Sequence, residues 1–520
     1  MHQSNQKQSD LFSFSYCLLK NTRATKSMAM ATSSKPAKTT TPHILLLPYP
    51  AQGHVNPFLR LAKALHARGL HVTFVHTEHN HGRRLRSRGL GAVTAPADGF
   101  RFETIPDGLP RSDHDATQDI WALCEATRRA CPGHLRALVE RLGGTEGVPP
   151  VTCVVADGAM GFAVHAAKDM GLPAYLFFTP SACGFLCYLN FDQLVKRGYV
   201  PFKDESCFTN GYLDTPVDWI TGMISNLRLR DFPTFIRTTN ADDVMLTINI
   251  KQCELDAPAA DGILLNTYDD LERAALDAIR ERLPNTFVVG PLGPEVSPPS
   301  YLPSLTSSLW KEDDRCVEWL DAQAADGSVM YVNFGSITVV TRDQMVEFAR
   351  GLADAGSPFL WVVRPDMVRD GGNDDGKMPV PDGFAEEVAG RGLMVGWCDQ
   401  EAVLGHRATG GFLSHCGWNS TLESLCAGVP MLCWPFFSEQ VTNCRYACEE
   451  WGVGVQMPRE AGRGEVEAAV KELMGDGDKA VAMRRKAAEW KEKAVKAVVV
   501  GGSSQRDLER FVDEIARVKG

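Results

Sequence analysis

Short, wholly apolar runs alternate with helix-period stretches along most of the chain. Residues 44–47 predict a buried strand, followed by a Pro/Gly-rich loop holding His54, a helix over 57–68 closed by Gly69, and a strand over 72–75. The alternation recurs where apolar runs at 151–156 and 174–178 flank a helix-like stretch at 162–170. Strands apolar on both faces and separated by helices predict βαβ units and a parallel sheet covered on both sides.

Between 290 and 311 the periodicity stops, and Pro291, Pro294, Pro298, Pro299 and Pro303 punctuate a linker-like stretch. A second alternating half follows, with strands expected at 329–334, 359–363, 393–395, 412–413 and 431–434 and a helix over Arg342–Ala355. The fold class expected is α/β, two doubly wound domains facing one cleft, with ligands beyond the carboxyl ends of the strands.

Composition narrows the function classes. The 520 residues are 44% hydrophobic and 23% charged, as in a soluble protein of two domains. A formal net charge of -10 argues against a nucleic-acid partner, so an anionic ligand must be held locally. The fifteen cysteines are scattered through apolar runs without a C-x-x-C pair, which predicts reduced, buried thiols. Residues 1–41 read as a polar, disordered leader whose apolar patch at 11–19 is broken by Ser13 and Ser15. No run reaches the ~18 apolar residues of a membrane span, so a soluble, cytoplasmic monomer is expected.

The densest candidate chemistry lies in WCDQEAVLGHRATGGFLSHCGWNSTLESLCAGVPMLCWPFFSEQ, Trp397 to Gln440. A strand runs into Ser414-His415-Cys416-Gly417 and a helix is expected to start near Asn419-Ser420. Free amides and the positive end of that helix suit a diphosphate, with His415, Asn419 and Ser420 as side-chain donors. The alternative is a capping box made by Ser420 and Glu423, satisfying only the helix end. Trp397 offers a face for a flat base, and Gln400 reaches for ribose. Glu439 and Gln440 follow another strand as sugar-hydroxyl partners, while Gly335-Ser336 allow close backbone approach to phosphate.

A histidine near neutral pKa, set where it can take a proton from a hydroxyl, is a candidate general base. His54 stands in the loop after the first strand, and Asp157 ends the run at 151–156, where a carboxylate would face the cleft and orient the imidazole. The alternative for Asp157 is a helix N-cap. Asp113-His114-Asp115 imitates a metal-binding D-x-D but follows no strong strand, so no metal is expected.

The Trp397 to Gln440 stretch closely resembles the signature box of plant-type UDP-dependent glycosyltransferases, family 1 enzymes of GT-B architecture, and the similarity runs from about His43 to Val512. The resemblance implies an inverting enzyme with an acceptor-binding domain at 42–290, a linker at 291–315, a donor-binding domain at 316–500 and a final helix, 501–520, packing back on the first domain. It implies that Trp397 stacks on uracil, that Gln400 and Glu423 hold ribose, and that Ser336, His415, Asn419 and Ser420 hold the diphosphate. Trp418, Glu439 and Gln440 would contact the sugar, with Cys398 in the donor set and Thr179 near the transferred group. It also implies His54 as base and Asp157 as its orienter. Asp399 stands where the family often has Pro, and Glu439 where Asp is common. The final Gln resembles glucose-using members, so UDP-glucose is the expected co-substrate and a β-O-glucoside the product, with no cofactor. The segment 218–240 resembles a branch acting on cyanohydrins, terpenoid alcohols and cytokinins, which implies a small apolar alcohol as acceptor. Two other classes stay open at this point: a nucleotide-sugar or small-molecule binder without activity, and a nicotinamide-dependent oxidoreductase, the latter disfavoured because no G-x-G-x-x-G follows the first strand.

Overall fold

The computed structural model describes residues 41–94, 97–112, 118–293, 302, 305, 308–368 and 378–517. The expected leader up to residue 40, the Asp113-His114-Asp115 triplet and much of the expected linker lie outside the described residues. Among the described residues, no helix is long and apolar enough to cross a membrane.

Seven strands form the first sheet: β1 (His43–Leu47), β2 (His71–Thr77), β3 (Phe100–Ile105), β4 (Cys153–Asp157), β5 (Ala174–Phe178), β6 (Gly262–Leu265) and β7 (Thr286–Val288), in the order β3-β2-β1-β4-β5-β6-β7. Six form the second: β8 (Val329–Asn333), β9 (Phe359–Val362), β10 (Gly392–Val395), β11 (Thr409–Ser414), β12 (Met431–Cys433) and β13 (Gly454–Gln456), in the order β10-β9-β8-β11-β12-β13. Neighbouring strands pair in parallel throughout. The central strands β1, β4 and β8 are buried at every position, as helices on both faces require.

Among the helices that frame the cleft or close the fold are α1 (Gln52–His66), α2 (Val244–Lys251), α3 (Gln400–Gly405), α4 (Trp418–Ala427), α5 (Gln440–Glu449) and α6 (Ser503–Arg517). Strand order reverses between β1 and β4 in one sheet and between β8 and β11 in the other. Connections there leave in opposite directions and open a crevice at the strand carboxyl ends. His54 follows β1 and Asp157 ends β4, while Ser336 follows β8 and His415 follows β11. Both switch points therefore carry candidate chemistry.

The two halves share a core. One apolar cluster joins Leu45 and Leu47 of β1 to Tyr331 of β8 and Phe412 of β11. Two indoles also reach across, Trp418 Nε1 donating to the Asn266 carbonyl at 2.8 Å and Trp451 Nε1 to the Leu271 carbonyl at 3.2 Å. On the other face of the first sheet, Leu508, Phe511 and Ile515 of α6 pack with Ile44 and Leu46.

Two local expectations change. The helix after β1 starts five residues before Pro57, so His54 lies in its first turn and not in a loop. Pro57 inside the helix has no N–H to return to the Gly53 carbonyl, and that carbonyl instead accepts a bond from Asn419 Nδ2 at 2.5 Å. Strands β3, β6, β7 and β13 add to those anticipated.

Candidate active site

His54 is the third residue of α1, its N–H bonded to the Ala51 carbonyl at 3.0 Å. Its Nδ1 lies 2.8 Å from Asp157 Oδ2 and 2.9 Å from Thr179 Oγ1, and its ring meets Tyr49 edge-on at 5.1 Å. The Asp157 side chain is buried, and its other oxygen accepts the Ala159 N–H at 2.9 Å as cap of a short 3₁₀ turn. The cap and the histidine partner are thus the two oxygens of one carboxylate. Burial disfavours the imidazolium, but the charge and hydrogen bond of Asp157, with the charge of Glu439, outweigh it and raise the His54 pKa above 6.5. The His54 side chain keeps 30% exposure, and with Nδ1 engaged, Nε2 is the nitrogen placed to take a proton.

Across the cleft, α4 starts at Trp418 with Gly417 as N-cap and no side-chain cap bond. Ser420 and Glu423 therefore form no capping box. They join a network centred on Gln400, whose Nε2 donates to Ser420 Oγ at 2.8 Å and Glu423 Oε2 at 2.6 Å. Gln400 Oε1 accepts from Asn333 Nδ2 at 2.9 Å and from the Tyr331 hydroxyl at 3.1 Å. The Cys398 thiol packs at 3.4 Å from that same hydroxyl. Trp397 stacks on Trp310 with ring centroids 5.8 Å apart.

His415 is wedged between two glycines. A Cβ on Gly335 or on Gly417 would come within 2.4 Å of its Nε2, and Gly335 also has φ +75, where a side chain is strained. Burial first, then the charge of Arg364, pushes the His415 pKa down to about 4, so the ring is neutral. Its Nδ1 is buried without a hydrogen-bond partner. The Arg364 guanidinium is itself buried and donates to the Gly335 carbonyl and, at 2.7 Å, to the Thr338 carbonyl, bracing the loop that carries Ser336. Glu439 accepts from the Tyr188 hydroxyl at 3.3 Å, and Gln440 Oε1 accepts the Phe436 and Phe437 N–H groups at 2.9 and 3.2 Å.

All fourteen candidate residues, His54, Asp157, Thr179, Ser336, Trp397, Cys398, Gln400, His415, Trp418, Asn419, Ser420, Glu423, Glu439 and Gln440, line one cavity of about 510 Å³. That volume suits a ligand of nucleotide-sugar or drug size. The Trp418 indole N–H is spent on the Asn266 carbonyl and is not a donor for a ligand. The apolar part of the remaining wall includes Tyr49, Ile120, Phe178, Phe235, Met245 and Ile248. Of the segment 218–240 singled out for the acceptor, Phe235 reaches the cavity; α2 adds Met245, Ile248 and Asn249, and the π-turn Gln252–Asp256 after it adds Gln252 and Cys253.

Sequence reasoning missed Arg60, Arg364, Tyr331 and Asn333. Arg364 carried a readable signal, a cation directly after the apolar run of β9. Arg60 carried none, because its partners Glu401 and Glu423 lie on α3 and α4 of the other half.

The family described as UDP-glucoronosyl and UDP-glucosyl transferase matches residues 293–496, and the glycosyltransferase N-terminal domain matches 43–215. A 7-deoxyloganetin glucosyltransferase of Gardenia jasminoides is 50% identical over 476 residues, covering 90% of this chain and 97% of its own length. The chain belongs to this UDP-glycosyltransferase family. Linamarin synthase 1 of Manihot esculenta is 48% identical over 482 residues, covering 91% of this chain and 97% of that protein. Among solved structures, Os79 from O. sativa in complex with UDP superposes with a TM-score of 0.75 at 28% identity, covering 91% of this chain and 100% of that one. The plant-type family 1 resemblance and the GT-B architecture are borne out, and the protein is a UDP-glycosyltransferase rather than an oxidoreductase or an inert binder.

Proposed function

We propose that this UDP-glycosyltransferase moves glucose from UDP-glucose to a hydroxyl of a small, largely apolar alcohol, with inversion, giving a β-O-glucoside. The observation that carries the reading is the 2.8 Å contact of His54 Nδ1 with Asp157 in the cavity that also holds the donor candidates. His54 Nε2 takes the acceptor proton as the oxygen attacks the anomeric carbon and UDP leaves. Asp157 holds the tautomer and stabilises the imidazolium, a division of labour shared with other His–Asp pairs.

The donor half, 316–500, supplies the rest: Trp397 against uracil with Cys398 beside it, and Gln400 and Glu423 on ribose. Ser336, neutral His415, Asn419, Ser420 and the free amides of α4 hold the diphosphate. Glu439, Gln440 and Thr179, with the Trp418 main chain, meet the sugar. The acceptor half, 42–290, contributes the apolar wall. Because amides and dipoles serve the leaving group, transfer needs no metal, and full activity in excess chelator is expected. The uniformly free thiols among the described cysteines support a reducing, cytosolic setting, and apolar-alcohol glucosylation fits specialised metabolism.

The test is UDP release from UDP-glucose over a panel of small terpenoid alcohols and cyanohydrins with flavonoids as controls. Acceptor-dependent release with a β-glucoside product is expected. Release with another UDP-sugar but not UDP-glucose would overturn the donor assignment, and an α-linked product would overturn inversion.

A further inference from the structure

Three buried thiols meet behind the donor loop. Cys416 follows His415, Cys433 ends β12 and Cys444 sits on α5, yet their sulfurs all lie within 4.8 Å of one another. Cys448, one helical turn beyond Cys444, lies within reach of the Cys433 and Cys444 sulfurs and is half-buried. Transfer of a sugar uses none of these thiols. The Cys416 sulfur also makes a weak contact with the Ser414 carbonyl, at 3.7 Å.

We propose that Cys416, Cys433 and Cys444 form a binding site for a thiophilic d¹⁰ cation of the zinc(II) or copper(I) class, whose occupancy weakens donor binding. Thiolates select soft cations. Three sulfurs around one such ion at a metal–sulfur distance of ~2.3 Å stand about 4 Å apart, so this cluster closes on a cation by shifts of under ~1 Å. Each thiol gives up its proton to solvent on coordination. Cys448 provides a fourth ligand and, being half-buried, a route of entry.

The link to the donor site runs through Cys416 and rests on the reading that its loop holds the diphosphate. Cys416 has φ 62, its N–H is bonded to Ser414 Oγ at 3.1 Å, and its carbonyl accepts Asn443 Nδ2 at 2.9 Å. A residue held this way in left-handed backbone has little slack. Drawing its sulfur inward moves His415 and Gly417 on either side, and the His415 ring has no clearance between Gly335 and Gly417. The cation is an inhibitor and takes no part in transfer.

The experiment is a cadmium(II) titration of the full chain, read by thiolate-to-cadmium charge-transfer absorption, with UDP affinity measured calorimetrically with and without one equivalent. One bound cadmium per chain and a UDP dissociation constant raised about tenfold are expected. The Cys433→Ala/Cys444→Ala variant loses the absorption and binds UDP equally with or without cadmium. Cys153→Ala, a buried thiol of β4, retains both effects. Cys448→Ser, at a half-buried position, weakens cadmium binding even if the double variant folds poorly. Absorption that persists without Cys433 and Cys444, or its absence in the parent chain, overturns the site. Unchanged UDP affinity in the loaded protein overturns the coupling. Failure of the metal-free protein to bind UDP would instead count against the donor reading, and the absorption arm still decides the cation site.

Discussion

The guanidinium of Arg60 lies 2.5 Å from the carboxylate of Glu423 and 3.2 Å from that of Glu401, tying the helix that carries His54 to the helix that follows the donor loop. One turn earlier on α4, Asn419 makes the second tie, to the Gly53 carbonyl that Pro57 leaves free. Asn419 and Glu423 stand four residues apart on one helix face and meet α1 at two points two turns apart. Two of the side chains proposed to hold the donor thus also tie the two halves together. Donor binding and the placement of His54 are therefore coupled through α1 and α4.

Replacing Arg60 with Met removes the ion pair while keeping the stem. Glu423 then has Gln400 as its remaining hydrogen-bond donor among the described contacts. Arg60 is part-exposed, so the cost is well below that of a fully buried pair, about 1–2 kcal/mol. The KM for UDP-glucose is expected to rise roughly tenfold, and Arg60→Lys to recover part of it. Steady-state kinetics with both variants decide the matter; an unchanged KM in Arg60→Met would make the contact incidental.

Gly417→Ala isolates the fit of His415. Gly417 has φ -61, so alanine meets no backbone penalty there, yet its Cβ would come within 2.4 Å of the imidazole. The ring must move, and UDP affinity is expected to fall about ten- to a hundredfold with little loss of thermal stability. Calorimetric UDP titration checks this. Affinity within twofold of the parent would show that His415 does not touch the diphosphate.

His43 gives a pH signature separate from catalysis. Buried with Nδ1 at 2.7 Å from the Pro149 carbonyl and Nε2 at 2.7 Å from Thr73 Oγ1, it has its pKa lowered to about 4, chiefly by burial. The folded chain then binds fewer protons at this site than the unfolded chain between about pH 4 and 6.5. Stability from this residue is complete above 6.5 and falls with acidification by up to ~1.4 kcal/mol per pH unit. Denaturant unfolding at pH 7 and pH 5 should show a shallower loss in His43→Gln than in the parent chain. Equal slopes would remove His43 from the account.

Much of this was legible because the relevant physics is local. Central parallel strands are buried throughout and mostly apolar, so β1, β4, β5, β8 and β9 stand out as runs. Strand β3 did not, because it lies at a sheet edge and four of its six residues are part-exposed; β13 is three residues long. Pro57 suggested a helix start, and no sequence rule shows that its missing N–H serves an interdomain bond. The donor candidates sit in one contiguous stretch and were readable together. The acceptor wall was not: α2 is apolar on several sides, so no stripe separates cavity-facing from core-facing positions. Arg60 and Glu423 are 363 residues apart and become partners only on folding.

The His54 and Asp157 pair makes the sharpest kinetic prediction. The base must be neutral, and its pKa is raised, so kcat/KM should climb with pH through a value above 6.5 and level off. Folding linkage has the same origin: the pairing adds stability below the unfolded pKa and loses it as pH rises through the folded one. Asp157→Asn removes the charge that raises the pKa, so the limb shifts to lower pH. The amide can donate to Nδ1 and so leave the proton on Nε2, the tautomer that cannot accept one, and the plateau drops by about 10²-fold or more. His54→Ala should lose ~10²–10⁴-fold in turnover yet bind UDP as before, since the donor candidates lie across the cleft. Full pH–rate profiles of the three proteins, with UDP titrations, test both residues together. A limb that stays put in Asp157→Asn would reduce Asp157 to the cap of its 3₁₀ turn, and lost UDP affinity in His54→Ala would move His54 from the chemistry to the donor site.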